Sequence, residues 1–254
     1  MILVLSGTSD GRKIIELLAS TGYSVIVSTA TEYGRMLAEL DKNITEIISS
    51  RLEKPDMEKI IIEKDIQYIV DATHPYADKV SKNAIAASKS MGIQYLRFER
   101  EEHIYDGAHY FPDYSSAVLY LKETQGNVLL TIGSNNLHIF TSSLDIDRLY
   151  ARVLPTYAVV KKCEELGLLP RQIIAVQGPF TKELNKAIYK NYNIKHMVTK
   201  DSGDAGGTKE KIEGAMETGV NVILIQRPNI DYPNICNSIE EVIDSIKKNY
   251  KNYN

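Results

Sequence analysis

Cysteine, metal-binding histidine patterns and long apolar runs are scarce or absent in this 254-residue sequence. Its two cysteines, Cys163 and Cys236, lie far apart and form no C-x-x-C pair, so we expect free thiols in a reducing cytoplasm. The five histidines show no metal-ligand spacing such as H-E-x-x-H, and we predict no metal site in the protein. No apolar run approaches the roughly 20 residues that a membrane-spanning helix needs.

The charge balance is also modest. The formal net charge is −3, so the composition gives no sign of a nucleic-acid or membrane partner. Because an apolar strand is predicted from residue 2, we expect no signal peptide and a cytoplasmic location. The length suits one large domain or two small ones, and it leaves open whether the protein is a monomer or a small homo-oligomer.

Short β-branched runs alternate with longer amphipathic segments along the chain. The runs ILVLS (2–6) and QYIVDA (67–72) are examples of the predicted strands. Strands this apolar, separated by single helices, are typical of a parallel sheet covered by helices on both faces. A looser stretch, EEHIYDGAHYFPDYSS (101–116), interrupts the alternation, which then restarts. We therefore predict an α/β protein with two domains, 1–105 and 106–254.

Ligands of an open parallel sheet bind beyond the carboxyl ends of its strands, so the loops after the strands are the first place to seek function. The first such loop reads SGTSDG. Gly7 and Gly11 allow backbone N–H groups to approach an anion, while Thr8 and Ser9 add hydroxyls and the next helix offers its positive end. This set suits the pyrophosphate of a dinucleotide. The spacing is not G-x-G-x-x-G, and the alternative is a tight turn in which Ser9 or Asp10 caps the helix.

The loop STATEYGR after the second strand bears on the type of nicotinamide cofactor. An acid near this point would hold the ribose 2′-OH of NADH, whereas hydroxyl and basic groups suit the 2′-phosphate of NADPH. The hydroxyls and arginines here favour NADPH, with NADH left open. The alternative is that the threonines are ordinary strand-end residues and Arg35 is solvated. The predicted contacts are Ser28, Thr29, Thr31, Arg35 and Arg51.

The loop DATHPYA follows the fourth strand. Asp71, Thr73, His74 and Tyr76 lie at the strand's carboxyl end in this loop, and Pro75 restricts its backbone. Proton donors and acceptors at such a place, beside a cofactor, favour a role in substrate chemistry. The alternative is a histidine that serves only local hydrogen bonding.

A fourth loop, KDSGDAGGT, lies in the second half of the chain. Lys200 and Asp201 stand at a strand end, ahead of Gly203, Gly206 and Gly207. Three glycines in five positions at the start of a helix predict a backbone nest for an oxygen anion. The alternative is a surface loop.

Several of these stretches together resemble one enzyme family. They are ILVLSGTSDGR, DATHPYA with SKNA after it, ARVLPT, GPF, KDSGDAGGTKEKI and VILIQRP, and they follow one another over nearly the whole chain. In this respect the chain is similar to precorrin-6A reductases, cobalamin-pathway enzymes that reduce one double bond of a corrin precursor with a nicotinamide. The DATHPYA and KDSG…GGT stretches are the specific matches. Ser6 departs from the glycine expected in many relatives, although a small residue there should still fit.

The resemblance implies two Rossmann-like parallel-sheet domains with the active site in the cleft between them, and it leaves open whether they exchange a strand. It implies a nicotinamide dinucleotide, NADPH, on the N-terminal domain and a tetrapyrrole with many carboxylates lying across the cleft, with the C-terminal domain as the substrate domain. Residue composition slightly favours the cobalt-containing substrate over the metal-free one, and any cobalt would belong to the substrate.

The resemblance also implies roles for the loop residues. Hydride transfer to a conjugated macrocycle requires mainly that the nicotinamide is held against the acceptor carbon and that water is excluded. We predict Thr73 and His74 beside the nicotinamide. Predicted catalytic residues, as proton donors or anchors, are His74, Tyr76, Lys200 and Asp201. Predicted substrate contacts are Pro75, Tyr76, Lys200, Ser202, Gly206, Gly207, Thr208 and Arg227, and Arg97, Arg100 and Arg152 are further candidate partners of substrate carboxylates.

Two rival interpretations remain open. Tyr157 and Lys161 form Y-x-x-x-K with Ser143 upstream, as in short-chain dehydrogenases and epimerases. A strand is predicted between Ser143 and Tyr157, which would keep the three residues apart, so we expect the match to be coincidental. The second rival is a non-catalytic module that senses a dinucleotide without binding a macrocycle.

Overall fold

Two parallel six-stranded sheets organise the chain, one in each of two units. The first unit contains Met1–Glu101 and the chain from Pro228 onward, and the second contains Glu102–Arg227. The computed structural model describes residues 1–30, 32–39, 44–201 and 207–250. The predicted α/β class with two Rossmann-like parallel sheets is confirmed.

The helices and strands follow the predicted alternation closely. The strands are β1 (Ile2–Ser6), β2 (Val25–Thr29), β3 (Glu46–Ser49), β4 (Tyr68–Ala72), β5 (Gln94–Phe98), β6 (His109–Phe111), β7 (Asn127–Leu130), β8 (Leu149–Val153), β9 (Ile173–Ala175), β10 (Ile194–Lys200), β11 (Asn221–Ile225) and β12 (Ile235–Cys236). The helices are α1 (Ser9–Ser20), α2 (Glu32–Ala38), α3 (Lys54–Glu63), α4 (Asp78–Met91), α5 (Tyr114–Lys122), α6 (Leu137–Thr141), α7 (Tyr157–Glu165), α8 (Lys182–Asn191), α9 (Thr208–Glu217) and α10 (Ile239–Asn249). Short 3₁₀ helices cover Ile146–Arg148 and Pro170–Gln172.

The strand order of the first sheet reverses at its centre. The order is β12-β5-β4-β1-β2-β3, so the chain runs outward from β1 to β3 and then crosses back to place β4 on the other side of β1. At the carboxyl end of β1, Ser6 pairs with Thr29 of β2 and Ala72 of β4. The loops after β1 and β4 therefore leave the sheet side by side, at the kind of switch point where open α/β sheets bind ligands.

Five strands of the second sheet repeat the order of the first sheet, and only the edge strand differs, since β6 comes first along the chain where β12 comes last. The order of the second sheet is β6-β11-β10-β7-β8-β9, and the reversal lies between β7 and β10. The loops after β7 and β10 are the counterparts of the two loops at the first switch point. The glycine-rich stretch that follows β10 therefore leaves the sheet where a ligand site is expected.

The core of the first unit fills both faces of its sheet. On one face, Ile14 and Leu18 of α1 pack with Val242 and Ile246 of α10. On the other face, helices α3 and α4 contribute Met57, Ile61, Ala84 and Ala87. In the second unit, α8 and α9 pack together, and Ile188, Ile212 and Ala215 join the apolar residues of the sheet. Both cysteines are buried free thiols, as expected.

The chain after Pro228 differs from the prediction. It was assigned to a second domain of 106–254, whereas β12 pairs in parallel with β5 and α10 packs on α1 in the first unit. Both β12, with two residues, and β6, with three, are too short to show a period-2 pattern, so neither was predicted. Among the described residues, no helix is both long and apolar enough to cross a lipid bilayer.

Candidate active site

The loop between β1 and α1 is fixed by Thr8. Thr8 is the N-cap of α1, and its hydroxyl oxygen accepts a hydrogen bond from the Gly11 N–H at 3.0 Å. The same hydroxyl donates to the Ala72 carbonyl oxygen at the end of β4, at 3.1 Å. The helix is thus capped by Thr8 and not by Ser9 or Asp10, and the Thr8 hydroxyl proton is used inside the protein. What the loop offers an anion is the N-terminal end of α1, where the N–H groups of Ser9 and Asp10 lack intrahelical partners.

The two glycines of this loop serve different purposes. A side chain on Gly11 would place its Cβ 2.8 Å from Ser6 Oγ and 3.2 Å from the Ala72 carbonyl oxygen, so glycine is needed for α1 to pack against the sheet. Gly7 is exposed, and among the described residues a Cβ there would meet only the backbone nitrogen of His74, at 3.9 Å. Gly7 therefore leaves open surface directly beside the start of the β4 loop. Ser6 is accommodated as a small buried residue.

A buried ion pair organises the β4 loop. Asp71 accepts hydrogen bonds from the Thr73 hydroxyl at 2.6 Å, the Arg97 guanidinium at 2.9 Å and the Tyr95 hydroxyl at 2.8 Å. Burial and the Asp71 carboxylate raise the pKa of Tyr95, which keeps its donor proton in place. Arg97 also contacts Glu99 at 2.8 Å. Arg97 is completely buried and belongs to this network, which corrects its prediction as a partner of substrate carboxylates.

His74 and Tyr76 lie together at the tip of the same loop. Their rings are 5.5 Å apart, and the Tyr76 N–H donates to His74 Nδ1 at 3.4 Å. Both residues, with Pro75 between them, are half-buried. The structure thus brings Thr73, His74 and Tyr76 to the edge of the sheet next to Gly7.

The residues predicted to select the dinucleotide are more dispersed. Ser28 and Thr29 are buried at the end of β2, beside β1. Arg35 lies on α2 and pairs with Glu39 at 2.8 Å, and Arg51 is exposed after β3. Thr31 lies outside the described residues.

In the second unit, Lys200 is the last residue of β10 and Asp201 follows it, at the strand end where both are predicted. Arg227 donates to Asp201 at 3.1 Å and also lies 3.5 Å from Glu102. Arg227 is therefore held by carboxylates of the protein itself. Burial lowers the pKa of Lys200, which is half-buried.

The start of α9 follows this strand end. Gly207 adopts a left-handed conformation at the N-cap of α9, with φ of 61°, and Thr208 is completely buried after it. Ser202 and Gly206 lie outside the described residues. Arg100, another predicted carboxylate partner, bonds to Asp10 in the first unit.

Two further cations are buried in the described part of the second unit, and only one of them is predicted from the sequence as a ligand. Arg152 near the end of β8 is 7% exposed, and Lys211 in the first turn of α9 is 6% exposed. Lys211 is the residue that was missed. The periodicity of the sequence could have predicted its burial, because Lys211 lies on the same face of α9 as the buried residues Thr208, Ile212 and Ala215.

The Y-x-x-x-K match does not form a site. Tyr157 is 82% exposed at the start of α7, and Lys161 lies 3.8 Å from Glu165 on the same helix. Strand β8 separates both residues from Ser143, as the sequence predicted. In the described part of the chain, no group of three or more His, Cys, Asp or Glu side chains is arranged to hold a metal ion.

Comparison with known proteins adds independent information. Residues 1–247 match the family model described as Precorrin-6x reductase CbiJ/CobK. A cobalt-precorrin-6A reductase of Priestia megaterium is 40% identical over 252 residues, covering 97% of this chain and 98% of that protein. A cobalt-precorrin-6A reductase of Methanocaldococcus jannaschii is 38% identical over 249 residues, covering 96% of this chain and 97% of that protein. A solved structure titled CobK precorrin-6A reductase superposes with a TM-score of 0.78 at 26% identity, covering 97% of this chain and 96% of that one.

Proposed function

Because the chain belongs to the precorrin-6x reductase family, we propose that it reduces one double bond of cobalt-precorrin-6A with NADPH in cobalamin biosynthesis. The family is one of oxidoreductases, so the reaction class follows from membership. The cobalt form of the substrate is proposed because the relatives at 40% and 38% identity are both named for it.

The adjacency of Gly7 and His74 carries the proposal. A Cβ on Gly7 would lie 3.9 Å from the His74 backbone nitrogen, at the switch point between β1 and β4. A dinucleotide there would have its pyrophosphate against Gly7 and the N-terminus of α1. Its nicotinamide would then meet the loop that carries Thr73, His74 and Tyr76. The exposed Gly7 and the packing role of Gly11 both fit such a group.

The protein's own residues have three tasks in this reaction. NADPH, when bound, supplies the hydride. The Asp71–Arg97 pair holds the Thr73 hydroxyl and thereby fixes the loop against which the nicotinamide would rest. One proton must also reach the reduced macrocycle, and His74 and Tyr76 are the proposed donors of the first unit.

NADPH is proposed over NADH because hydroxyl side chains, and no carboxylate, end β2. Ser28 and Thr29 stand where an acid would bind a ribose 2′-OH, and the basic residues Arg35 and Arg51 follow. Arg35 is half-exposed in its contact with Glu39, so a 2′-phosphate could compete for it.

The experiment is an assay of the purified protein with cobalt-precorrin-6A and, separately, precorrin-6A, each with NADPH or NADH. We expect loss of nicotinamide absorbance together with a change in the corrin spectrum, fastest with the cobalt form and NADPH. Coenzyme binding without reduction of either substrate would contradict the proposal and favour a dinucleotide-sensing module.

A further inference from the structure

We propose that Arg152 and Lys211 form a subsite in the second unit that binds a carboxylate side chain of the substrate. The inference rests on the proposed function, because it assumes a tetrapyrrole that carries carboxylates. Arg152 lies near the end of β8, and Lys211 lies in the first turn of α9, at the carboxyl edge of the second sheet.

Lys211 is a buried cation that forms no ion pair with a carboxylate of the described residues. Its Nζ donates to the Thr199 hydroxyl at 3.3 Å, and no carboxylate of the described residues lies within 4.0 Å of it. Burial, with Arg152 and Lys200 nearby, lowers the pKa of Lys211 to about 7, while the carboxylates of Asp201 and Glu210 act in the opposite direction. A buried ammonium group in this setting is stabilised by an added anion.

Arg152 is likewise a buried cation that contacts neutral groups. Its Nη1 donates to Asn185 Oδ1 at 2.7 Å, and its guanidinium stacks over the Phe180 ring at 4.3 Å. Asn185 is oriented by its own bond to the Thr181 carbonyl oxygen at 2.9 Å, so the guanidinium is held by neutral groups. Within the described ranges, Arg152 forms no ion pair, and its hydrogen bond to Asn185 uses only Nη1.

Two neighbouring cations would not be buried together for stability alone. Each loses hydration, and they repel each other, so the free protein is less stable than it would be with apolar side chains at these positions. By contrast, Arg227 in the same unit is paired with Asp201 and Glu102. Arg152 and Lys211, neither of which forms an ion pair within the described residues, therefore have the charge, the donors and the location of a carboxylate receptor.

The experiment compares Lys211→Met and Arg152→Met with Lys190→Met, which removes the same charge from an exposed position on α8. The probes are a cobyrinic acid, whose side chains end in free carboxylates, and its fully methylated ester. We expect the wild type to bind the acid in preference to the ester. Either subsite variant should weaken binding of the acid by about 10- to 100-fold, as for the loss of a hydrogen bond to a charged group. Binding of NADPH and of the ester should not change.

Thermal unfolding of the ligand-free proteins is the second measurement. We expect Lys211→Met to raise Tm by a few degrees, because the substitution removes a buried charge and a small gain in unfolding free energy shifts Tm by about 2–4 °C in a protein of this size. A merely structural role would lower it. The inference is overturned if both variants keep the wild-type preference for the acid over the ester.

Turnover separates this inference from the proposed function. If the wild type does not reduce either precorrin-6A form, the proposed function fails, and the preference for the acid still decides the subsite. If the wild type is active, we expect the subsite variants to raise KM for cobalt-precorrin-6A with little change in kcat. An unchanged KM would overturn the subsite and leave the proposed function standing.

Discussion

Arg97 and Asp71 are both completely buried in the first unit, with guanidinium Nη1 2.9 Å from carboxylate Oδ1. Through this pair, strand β5 holds the end of β4, and the Asp71 carboxylate in turn binds the hydroxyl and N–H of Thr73. The guanidinium also lies 5.2 Å from the centre of the Tyr232 ring, in the segment that returns after Pro228. The loop that carries His74 is thus anchored to the core by a charge pair.

The first prediction concerns this pair. Arg97→Met leaves the Asp71 carboxylate buried without its cation, so we expect the free energy of unfolding to fall by about 3–5 kcal/mol. Denaturant unfolding measures the change. The control is Lys82→Met, since the Lys82–Asp78 pair is exposed and its loss should change stability by about 0.5 kcal/mol or less. Equal effects of the two substitutions would contradict the role given to Arg97.

The second prediction tests the packing role of Gly11. Gly11→Ala brings a Cβ against Ser6 Oγ and the Ala72 carbonyl oxygen, and overpacking of this kind costs about 1–3 kcal/mol. Adding Ser6→Gly removes the nearer contact and should restore part of the lost stability, as measured by the same unfolding experiment. If the double variant is no more stable than Gly11→Ala alone, the contact with Ser6 is not what excludes a side chain.

The third prediction is a pH dependence. The pKa of Lys211 is about 7 in the folded protein, lowered mainly by burial and by Arg152 and Lys200, against Asp201 and Glu210. In the unfolded chain a lysine titrates near about 10.4, so between these values the unfolded state binds more protons and stability rises with pH. We therefore expect Lys211→Met to be more stable than wild type by the largest margin below about pH 7. The margin should shrink toward about pH 9. A margin that grows with pH would contradict the buried charge.

The fourth prediction separates the proposed reductase from a short-chain dehydrogenase. Tyr157→Phe should leave kcat/KM unchanged, because the Tyr157 side chain is 82% exposed on α7. His74→Ala should lower kcat/KM by about 100-fold or more if His74 supplies the proton. The reverse pattern, with Tyr157 essential and His74 dispensable, would favour the dehydrogenase.

Much of this architecture could be predicted from the sequence because its strands are short apolar runs between amphipathic helices. The loops after β1 and β4 were found because glycine and polar residues follow β-branched runs at those positions. Parallel pairing of β1 with β4 then brings the two loops together, and this adjacency cannot be predicted from the sequence of either loop alone. Tertiary contacts explain what was missed: β12 has two residues, and its assignment to the first sheet depends on pairing with β5.

Side-chain partners were harder to predict than positions. Arg97 has the charge expected of a substrate ligand, but its location on β5 beside Asp71 makes it part of the core. Thr8 offers a hydroxyl in the sequence, yet the hydroxyl proton is donated to the end of β4. Lys211 could have been recognised from its inward helical spacing, whereas the neutral surroundings of Arg152 depend on α8 and the segment before it.

The central claim is that the switch point of the first unit holds the reduced nicotinamide dinucleotide. The most direct test is a crystal structure of the protein soaked with NADPH. We expect the pyrophosphate against Gly7 and the N-terminus of α1, with the nicotinamide beside Thr73 and His74. A coenzyme bound instead at the loop after β7 in the second unit would contradict the account.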